Sequence, residues 1–355
     1  EQRFVFVGVD EDALPSIGRR LSAPVHFKVS LSAVDRAALM SRDTDPFNRW
    51  EAGQALATDV LLEMAETAKS GIAPRADAIY VDAIGEVLAR AEEDHAFAAE
   101  MLAPPGESEL ALKMTPADPV AIHDARMALI RGVAGKHRES FGALYGKLES
   151  AQAFAPDAAS AGRRRLRNAC LRYLTAEDTD ASAQIAEAHY RSASNMTDMI
   201  AGLAALSRMD WPERETAFAD FHDRFAKDPL VLDKWMALQA GSPLATTMVQ
   251  VRALMKHPAF DIQNPNRVRA LIGAFSANHL RFHEADGSGY ALVCDVLREL
   301  DSINPQVAAR MAAAFENWRR YDDARQQSMR AELETILKKP GLSANLFEVA
   351  SKILK

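Results

Sequence analysis

Residues 45–64, D-P-F-N-R-W-E-A-G-Q-A-L-A-T-D-V-L-L-E-M, decide the fold class of this chain. Asp45 before Pro46 is typical of a helix start, because the carboxylate caps free backbone N–H groups and proline is tolerated in the first helical turn. Beyond this start, apolar residues recur with a helical period on one face. They are Phe47, Trp50, Ala57, Val60, Leu61 and Met64. The stretch therefore predicts an amphipathic helix.

The same start signal recurs along the chain, each time before an apolar-periodic segment. The further pairs are Asp118-Pro119, Asp228-Pro229, Asn264-Pro265 and Asn304-Pro305. Other periodic stretches lie between them, and the last one is predicted to run over residues 306–337. Roughly fourteen short helices are too many for a four-helix bundle, and no strict repeat is found. The sequence predicts a mainly α protein, an irregular α-solenoid or superhelix of short helical hairpins.

The first residues differ from the rest. Phe4 to Val7 is a short aromatic and β-branched run, and apolar residues alternate with polar ones from Val25 to Leu31, so both stretches are predicted as strands. Two strands alone are marginally stable, and we expect them to belong to a larger sheet that precedes Glu1. The expected organisation is a β remnant of a truncated domain over residues 1–34 and a helical domain over 35–355.

Composition excludes several function classes. The chain has 355 residues with 49 acidic and 42 basic side chains, and its net charge of −7 argues against a nucleic-acid partner. Its two cysteines, Cys170 and Cys294, are too far apart for a zinc or redox pair. The longest apolar runs fall short of the roughly 20 residues that span a bilayer, so no membrane partner is expected.

The candidate catalytic motifs fail on inspection. His283-Glu284 begins like the zinc motif H-E-x-x-H, but the fifth position is Gly287. We therefore predict that His283 is a solvent-side or loop histidine. The tract from Arg163 to Arg167, continued by Arg172, has two interpretations: a phosphate-binding stripe, or a helix surface with salt bridges. The acidic net charge favours the salt bridges.

A second group of arginines follows two of the helix starts. Arg267 and Arg269 follow Asn264-Pro265, and Gln306 and Arg310 follow Asn304-Pro305. A cation in the first turn opposes the helix dipole. Such arginines indicate either an external anion or a fixed carboxylate partner, and the spacing alone does not separate these alternatives from an ordinary surface.

Several longer runs resemble the C-terminal part of the bacterial aminopeptidase N family of zinc-dependent exopeptidases. They occur in the same order and cover essentially the whole chain. The runs are Arg164–Leu174, Asn195–Asp198, Asp233–Trp235, Asn264–Phe275, Asp286–Tyr290, Asn304–Arg310 and Arg320–Arg330.

The resemblance implies the end of a β-sandwich third domain followed by a helical fourth domain. It also implies a cytoplasmic, monomeric parent enzyme that removes N-terminal residues from small peptides. The zinc motif, its distal glutamate and the G-A-M-E-N loop of the family are absent from this sequence, so zinc is expected in the parent and no cofactor in this chain. The chain alone is expected to be inactive, and its partners are the catalytic and β domains of the same parent protein.

By the same resemblance, Arg269, Gln306 and Arg310 match positions that face the internal chamber, and we predict them as substrate-channel residues. The superhelix would then cap the active-site chamber and shape substrate access. The alternative is a stand-alone helical scaffold that binds a protein or peptide in its concave face.

Overall fold

The computed structural model describes residues 29–150 and 152–355, and before them residues 13–21, 3, 5, 7, 8, 25 and 27. Within the two predicted strands, the described residues are Val5, Val7, Val25, Phe27 and 29–31, and none of these is in a strand. The other residues of both stretches lie outside the described part of the chain. The β remnant and the boundary between residues 34 and 35 therefore stay predictions.

From residue 33 onward the chain is helical. The helices are α1 (Ala33–Arg42), α2 (Pro46–Lys69), α3 (Ala78–Ala89), α4 (His95–Met101), α5 (Glu107–Ala111), α6 (Pro119–Lys136), α7 (Arg138–Lys147), α8 (Ala158–Leu174), α9 (Asp180–Ser192), α10 (Met196–Leu206), α11 (Pro212–Phe225), α12 (Pro229–Ala240), α13 (Thr247–Leu254), α14 (Pro265–Val268), α15 (Ala274–Ala277), α16 (His279–Phe282), α17 (Ser288–Asp301), α18 (Pro305–Ala312), α19 (Asp323–Leu337) and α20 (Ala344–Leu354). A π-helical turn, Arg269–Gly273, joins α14 to α15.

All five predicted helix starts are confirmed. Proline is the first residue of α2, α6, α12, α14 and α18, and the preceding Asp or Asn side chain accepts a backbone hydrogen bond in each. These caps satisfy N–H groups that have no partner within the helix. The local signal is therefore sufficient to place the beginning of these helices.

The prediction of one helical stretch over residues 306–337 is wrong. α18 ends at Ala312, two short 3₁₀ turns follow, and α19 starts at Asp323. Tyr321 is extended, and the Asp322 side chain accepts a hydrogen bond from the Arg325 backbone as the cap of a new helix. An internal cap thus divides a segment whose apolar pattern is continuous.

Neighbouring helices pack in pairs, as in α7 with α8, α9 with α10, α11 with α12 and α17 with α18. α8 also packs against α4, α6 and α10, so the pairs join into layers around a continuous apolar core. This arrangement confirms the mainly α superhelix. No helix in the described residues is both long and apolar enough to cross a membrane.

One contact joins segments that are far apart in sequence. Ala117 and Tyr321 form a parallel β-bridge, and the Ala117 backbone N–H donates to the carbonyl of Arg320 at 2.7 Å. The Arg320 guanidinium in turn donates to the carbonyl of Leu112 at 2.7 Å. α16 packs on α6 beside this contact. The helical array therefore folds back on itself.

Candidate functional site

The three predicted channel residues are all exposed. Arg269 begins the π-helical turn after α14, and Gln306 and Arg310 lie one turn apart on α18. The turn packs against α12 and α13, whereas α18 packs against α17 and α20. The structure thus keeps Gln306 and Arg310 on one helix face and places Arg269 on another part of the array.

Arg267 and Arg269 have different surroundings although they are two positions apart. Arg267 is buried, its Nη1 lies 2.9 Å from Oδ1 of Asp233 on α12, and it also donates to the carbonyl of Pro229 at 3.2 Å. The prediction of a fixed carboxylate partner is therefore correct for Arg267. This arginine joins α14 to α12 and is not available to an external anion.

Arg269 instead lies on a hollow. Its Nη1 donates to Oδ1 of Asn266 at 3.2 Å, and within the described residues no carboxylate forms an ion pair with it. The hollow has a volume of about 510 Å³ and is shared with Lys234 of α12. Because the carboxylate of Asp233 is committed to Arg267, the hollow has two cationic side chains in excess.

Sequence reasoning missed Lys234 as a candidate. Lys234 is exposed and follows Asp233 directly on α12, and both residues line the hollow. The sequence shows that Asp233 and Lys234 are neighbours, but it does not show which of the two charges has an internal partner. That depends on the position of Arg267 in the fold. The structure supplies that information.

α18 presents Gln306 and Arg310 on its outer side because its inner side is apolar. Val307 and Ala308 are buried, and the Asn304 side chain caps the helix by accepting from the Val307 N–H at 3.2 Å. Arg310 forms no ion pair with any carboxylate in residues 29–150 or 152–355. An exposed guanidinium without an internal partner can bind a carboxylate through two parallel hydrogen bonds.

The arginine tract on α8 divides into paired and unpaired members. Arg165 pairs with Glu100, and Arg167 pairs with Glu149 at 3.4 Å, so the predicted salt bridges are correct for these two. Arg164 lies over the Phe154 ring, and Arg172 has no ion pair or side-chain hydrogen bond in the described part of the chain. The salt-bridge interpretation therefore does not cover the whole tract.

His283 lies in the turn after α16, but it is buried, so the prediction of a solvent-side position is wrong. Its Nδ1 is 2.8 Å from the hydroxyl of Tyr290, and its ring stacks on Tyr321. Glu284 forms an ion pair with Arg281. Among the residues that the structure describes, no group of three or more His, Cys, Asp or Glu side chains is arranged to hold a metal ion.

Comparison with known proteins shows the family to which this chain belongs. A sequence profile described as "Domain of unknown function (DUF3458_C) ARM repeats" matches residues 33–355. The chain is 41% identical to aminopeptidase N of Caulobacter vibrioides over 347 residues, which is 98% of this chain and 40% of that protein. It is 36% identical to aminopeptidase N of Escherichia coli over 357 residues, which is 100% of this chain and 41% of that protein.

The fold comparison agrees with the sequence comparison. The crystal structure of Legionella pneumophila aminopeptidase A in complex with aspartic acid superposes with a TM-score of 0.85 at 28% identity, over 96% of this chain and 40% of that chain. The protein therefore belongs to the DUF3458_C family of helical ARM-repeat domains. Within that class it corresponds to the C-terminal part of aminopeptidase N, and it spans about 40% of the length of the curated relatives it matches.

Proposed function

We propose that this chain is the non-catalytic C-terminal part of a zinc-dependent aminopeptidase that removes N-terminal residues from peptides. The observation that carries the proposal is coverage: nearly the whole chain matches aminopeptidases N, yet it accounts for only about 40% of their length. The reaction would take place in the remainder of the parent protein. The parent is proposed to be a cytoplasmic monomer, and zinc is proposed to be bound outside this chain.

The role proposed for the superhelix is to cap the active-site chamber and to shape substrate access. Two exposed sites, each with at least one cationic side chain, support this role. Arg269 and Lys234 line the hollow, and Arg310 lies with Gln306 on α18. A peptide substrate ends in a carboxylate, and guanidinium groups bind carboxylates with directional, charge-assisted hydrogen bonds. Such groups would favour peptides whose free carboxyl end reaches them.

The deciding experiment compares the whole parent protein with residues 1–355 expressed alone. Metal content is measured by mass spectrometry, and activity is measured on a chromogenic aminoacyl anilide and on tripeptides. We expect about one zinc and peptide hydrolysis in the parent, because an open zinc site with its general base is needed for this chemistry. We expect neither in the chain, and circular dichroism serves as the control that the chain is folded.

A parent protein from which residues 35–355 are deleted tests the capping role separately. If it keeps the same kcat/KM values on tripeptides and on the anilide, the superhelix does not shape access. Zinc bound stoichiometrically by the isolated chain, together with turnover, would refute the proposal that the chain is non-catalytic.

A further inference from the structure

A second basic site lies between helices α4, α6, α8 and α10, away from the hollow of Arg269. It is a cleft of about 550 Å³. α8 contributes Arg164, Asn168 and Arg172, which are spaced four residues apart and therefore lie along one face of the helix. Arg208, just after α10, lines the cleft as well. We refer to this feature as the arginine cleft.

The rest of its lining is mostly small and apolar. Met127 and Ile130 of α6 contribute one wall, and alanines cover much of the remainder. The alanines are Ala99, Ala103, Ala161, Ala169, Ala176, Ala201, Ala204 and Ala205. A volume of about 300–1,000 Å³ with apolar walls and few polar groups is typical of small-molecule sites.

The charges of the cleft are not balanced inside it. Glu100 is the acidic residue of its lining, and it pairs with Arg165. The Arg164 guanidinium lies 4.6 Å from the centre of the Phe154 ring, and the only side-chain acceptor of Arg208 among the described residues is the thioether sulfur of Met127, a weak acceptor. Arg172 forms no hydrogen bond or ion pair with any side chain in the described ranges.

Additional positive charge lies behind the cleft. Arg126 of α6 donates to the carbonyl of Pro105 at 2.9 Å. Burial, together with the charge of Arg126, lowers the pKa of Arg208 to about 10. Glu107 is the nearby carboxylate that opposes this effect, and it is itself within 2.8 Å of His123 Nδ1. Among the described residues, Glu107 is therefore shared among several basic side chains and only partly offsets the repulsion between the guanidinium groups.

We propose that the arginine cleft binds an anion, a carboxylate or phosphate group whose apolar portion lies on the alanine-lined wall. Arg172 and Arg208 bind the anion, because their planar forks match the oxygen geometry of both groups and, within the described residues, no oxygen acceptor occupies them. The proposal is independent of the peptidase function, since it concerns α8 and α10 and not Arg269, Gln306 or Arg310. The anion comes either from a free molecule or from an acidic side chain in the remainder of the parent protein.

Calorimetric titration of the isolated chain tests the proposal with three probes. They are inorganic phosphate, hexanoate and the uncharged hexanamide. We expect saturable binding of phosphate and hexanoate, and at least about tenfold weaker binding of hexanamide, because the charge-assisted hydrogen bonds are lost. Equal binding of hexanoate and hexanamide, or no binding of either anion, would overturn the proposal.

Variants locate the binding within the molecule. Arg172→Gln and Arg208→Gln are each expected to weaken anion binding by about tenfold. Arg172→Lys should lose less affinity for the anion than Arg172→Gln, since lysine keeps the positive charge but lacks the planar guanidinium group. Arg330→Gln, at an exposed arginine paired with Glu334, is the matched control and should bind like wild type. Arg172 is exposed, and an unchanged melting temperature of Arg172→Gln verifies its fold. If folded Arg172→Gln binds the anions as tightly as wild type, the proposal that Arg172 binds the anion in the arginine cleft is refuted.

The same titration on the whole parent protein identifies the source of the anion. Binding retained there assigns the cleft to a free anionic molecule. Binding lost there, while the isolated chain still binds, assigns it to an acidic side chain of the remainder. Neither result depends on zinc or on turnover, so failure of this proposal and failure of the peptidase proposal are distinguishable.

Discussion

The segment that begins at Pro265 has an inner and an outer side that differ in how arginine charge is compensated. On the inner side, Arg267 is buried against Asp233 and the Pro229 carbonyl. On the outer side, Arg269 is exposed and shares a hollow with Lys234. The first arginine is part of the protein's internal architecture, and the second leaves its charge available to another molecule.

The same division recurs on α8. Arg165 and Arg167 pair with glutamates, whereas Arg164 and Arg172 in the arginine cleft form no ion pair among the described residues. In both regions, residue type and helical spacing are alike on the two sides, and only the tertiary neighbours differ. An arginine is therefore assigned to structure or to binding by what lies opposite it, and each assignment can be tested by removing the side chain.

The largest effect is expected from Arg267→Ala. The substitution leaves the half-buried Asp233 without its counter-charge and the Pro229 carbonyl without its donor, which together cost about 2–3 kcal/mol. Urea denaturation of the chain measures this loss. Arg269→Ala is the matched control, and it should change the free energy of unfolding by less than about 0.5 kcal/mol. Similar losses in both variants would remove the distinction between the two sides.

A second effect comes from histidines that the interior keeps neutral. Burial lowers the pKa of His279 and of His189 to about 4 from the ordinary value of 6.5. Below pH 6.5 the unfolded chain binds protons that the folded chain does not, so stability falls as the pH falls towards 4. The slope approaches about 1.4 kcal/mol per pH unit for each histidine, and the loss is about 1.6 kcal/mol each between pH 6.5 and 5.

Urea denaturation at several pH values measures this slope. His279→Gln removes one of these imidazoles, so the variant should show a smaller loss between pH 6.5 and 5 than wild type. A slope that is identical in the variant and in wild type would contradict the assignment of this histidine.

The proposed channel role of Arg310 is tested by Arg310→Ala in the complete parent protein. Loss of a charge-assisted hydrogen bond to the substrate carboxylate should lower kcat/KM for tripeptides by about tenfold. The value for an aminoacyl anilide, which has no carboxylate, should stay nearly unchanged. Arg330→Ala serves as the control at an exposed arginine that has an internal partner. Equal losses on both substrates, or none on either, would rule out carboxylate steering.

The smallest effect is expected at the N-terminal cap of α18, the helix that carries Arg310. Asn304 caps α18 through the Val307 N–H, and Asn304→Ala should lower the free energy of unfolding by about 1 kcal/mol. Asn304→Asp keeps an acceptor and should be nearly neutral. Chemical denaturation of both variants decides the point, and an unaffected alanine variant would show that the cap does not hold this helix in place.

The sequence predicted what depends on local interactions. The five Asp-Pro and Asn-Pro starts need only a cap and the proline that follows, and all are present in the structure. The break at Asp322 was missed because the apolar pattern continues through it. A cap within a periodic run is hard to distinguish from an ordinary polar residue of a helix.

The candidate site was less predictable, for a related reason. Arg269, Gln306 and Arg310 were named from their spacing and from a family resemblance, and their role as channel residues stays a prediction. Which of Arg267 and Arg269 has a carboxylate partner depends on α12, a separate helix. Lys234 and the arginine cleft likewise require three or four helices to be placed first. Such groupings arise from packing and have no local signature.

The contact between residues 112–117 and 320–321 has a consequence for how the molecule comes apart. In an open helical array each unit is stabilised by its neighbours, so unfolding can spread from either end. Here a backbone bridge and the Arg320–Leu112 hydrogen bond close a circuit of about 208 residues. Fraying from one end is opposed until that closure opens, and closing so long a loop carries an entropic cost during folding. We therefore expect the helices between residues 117 and 320 to unfold more cooperatively than the units of an open array.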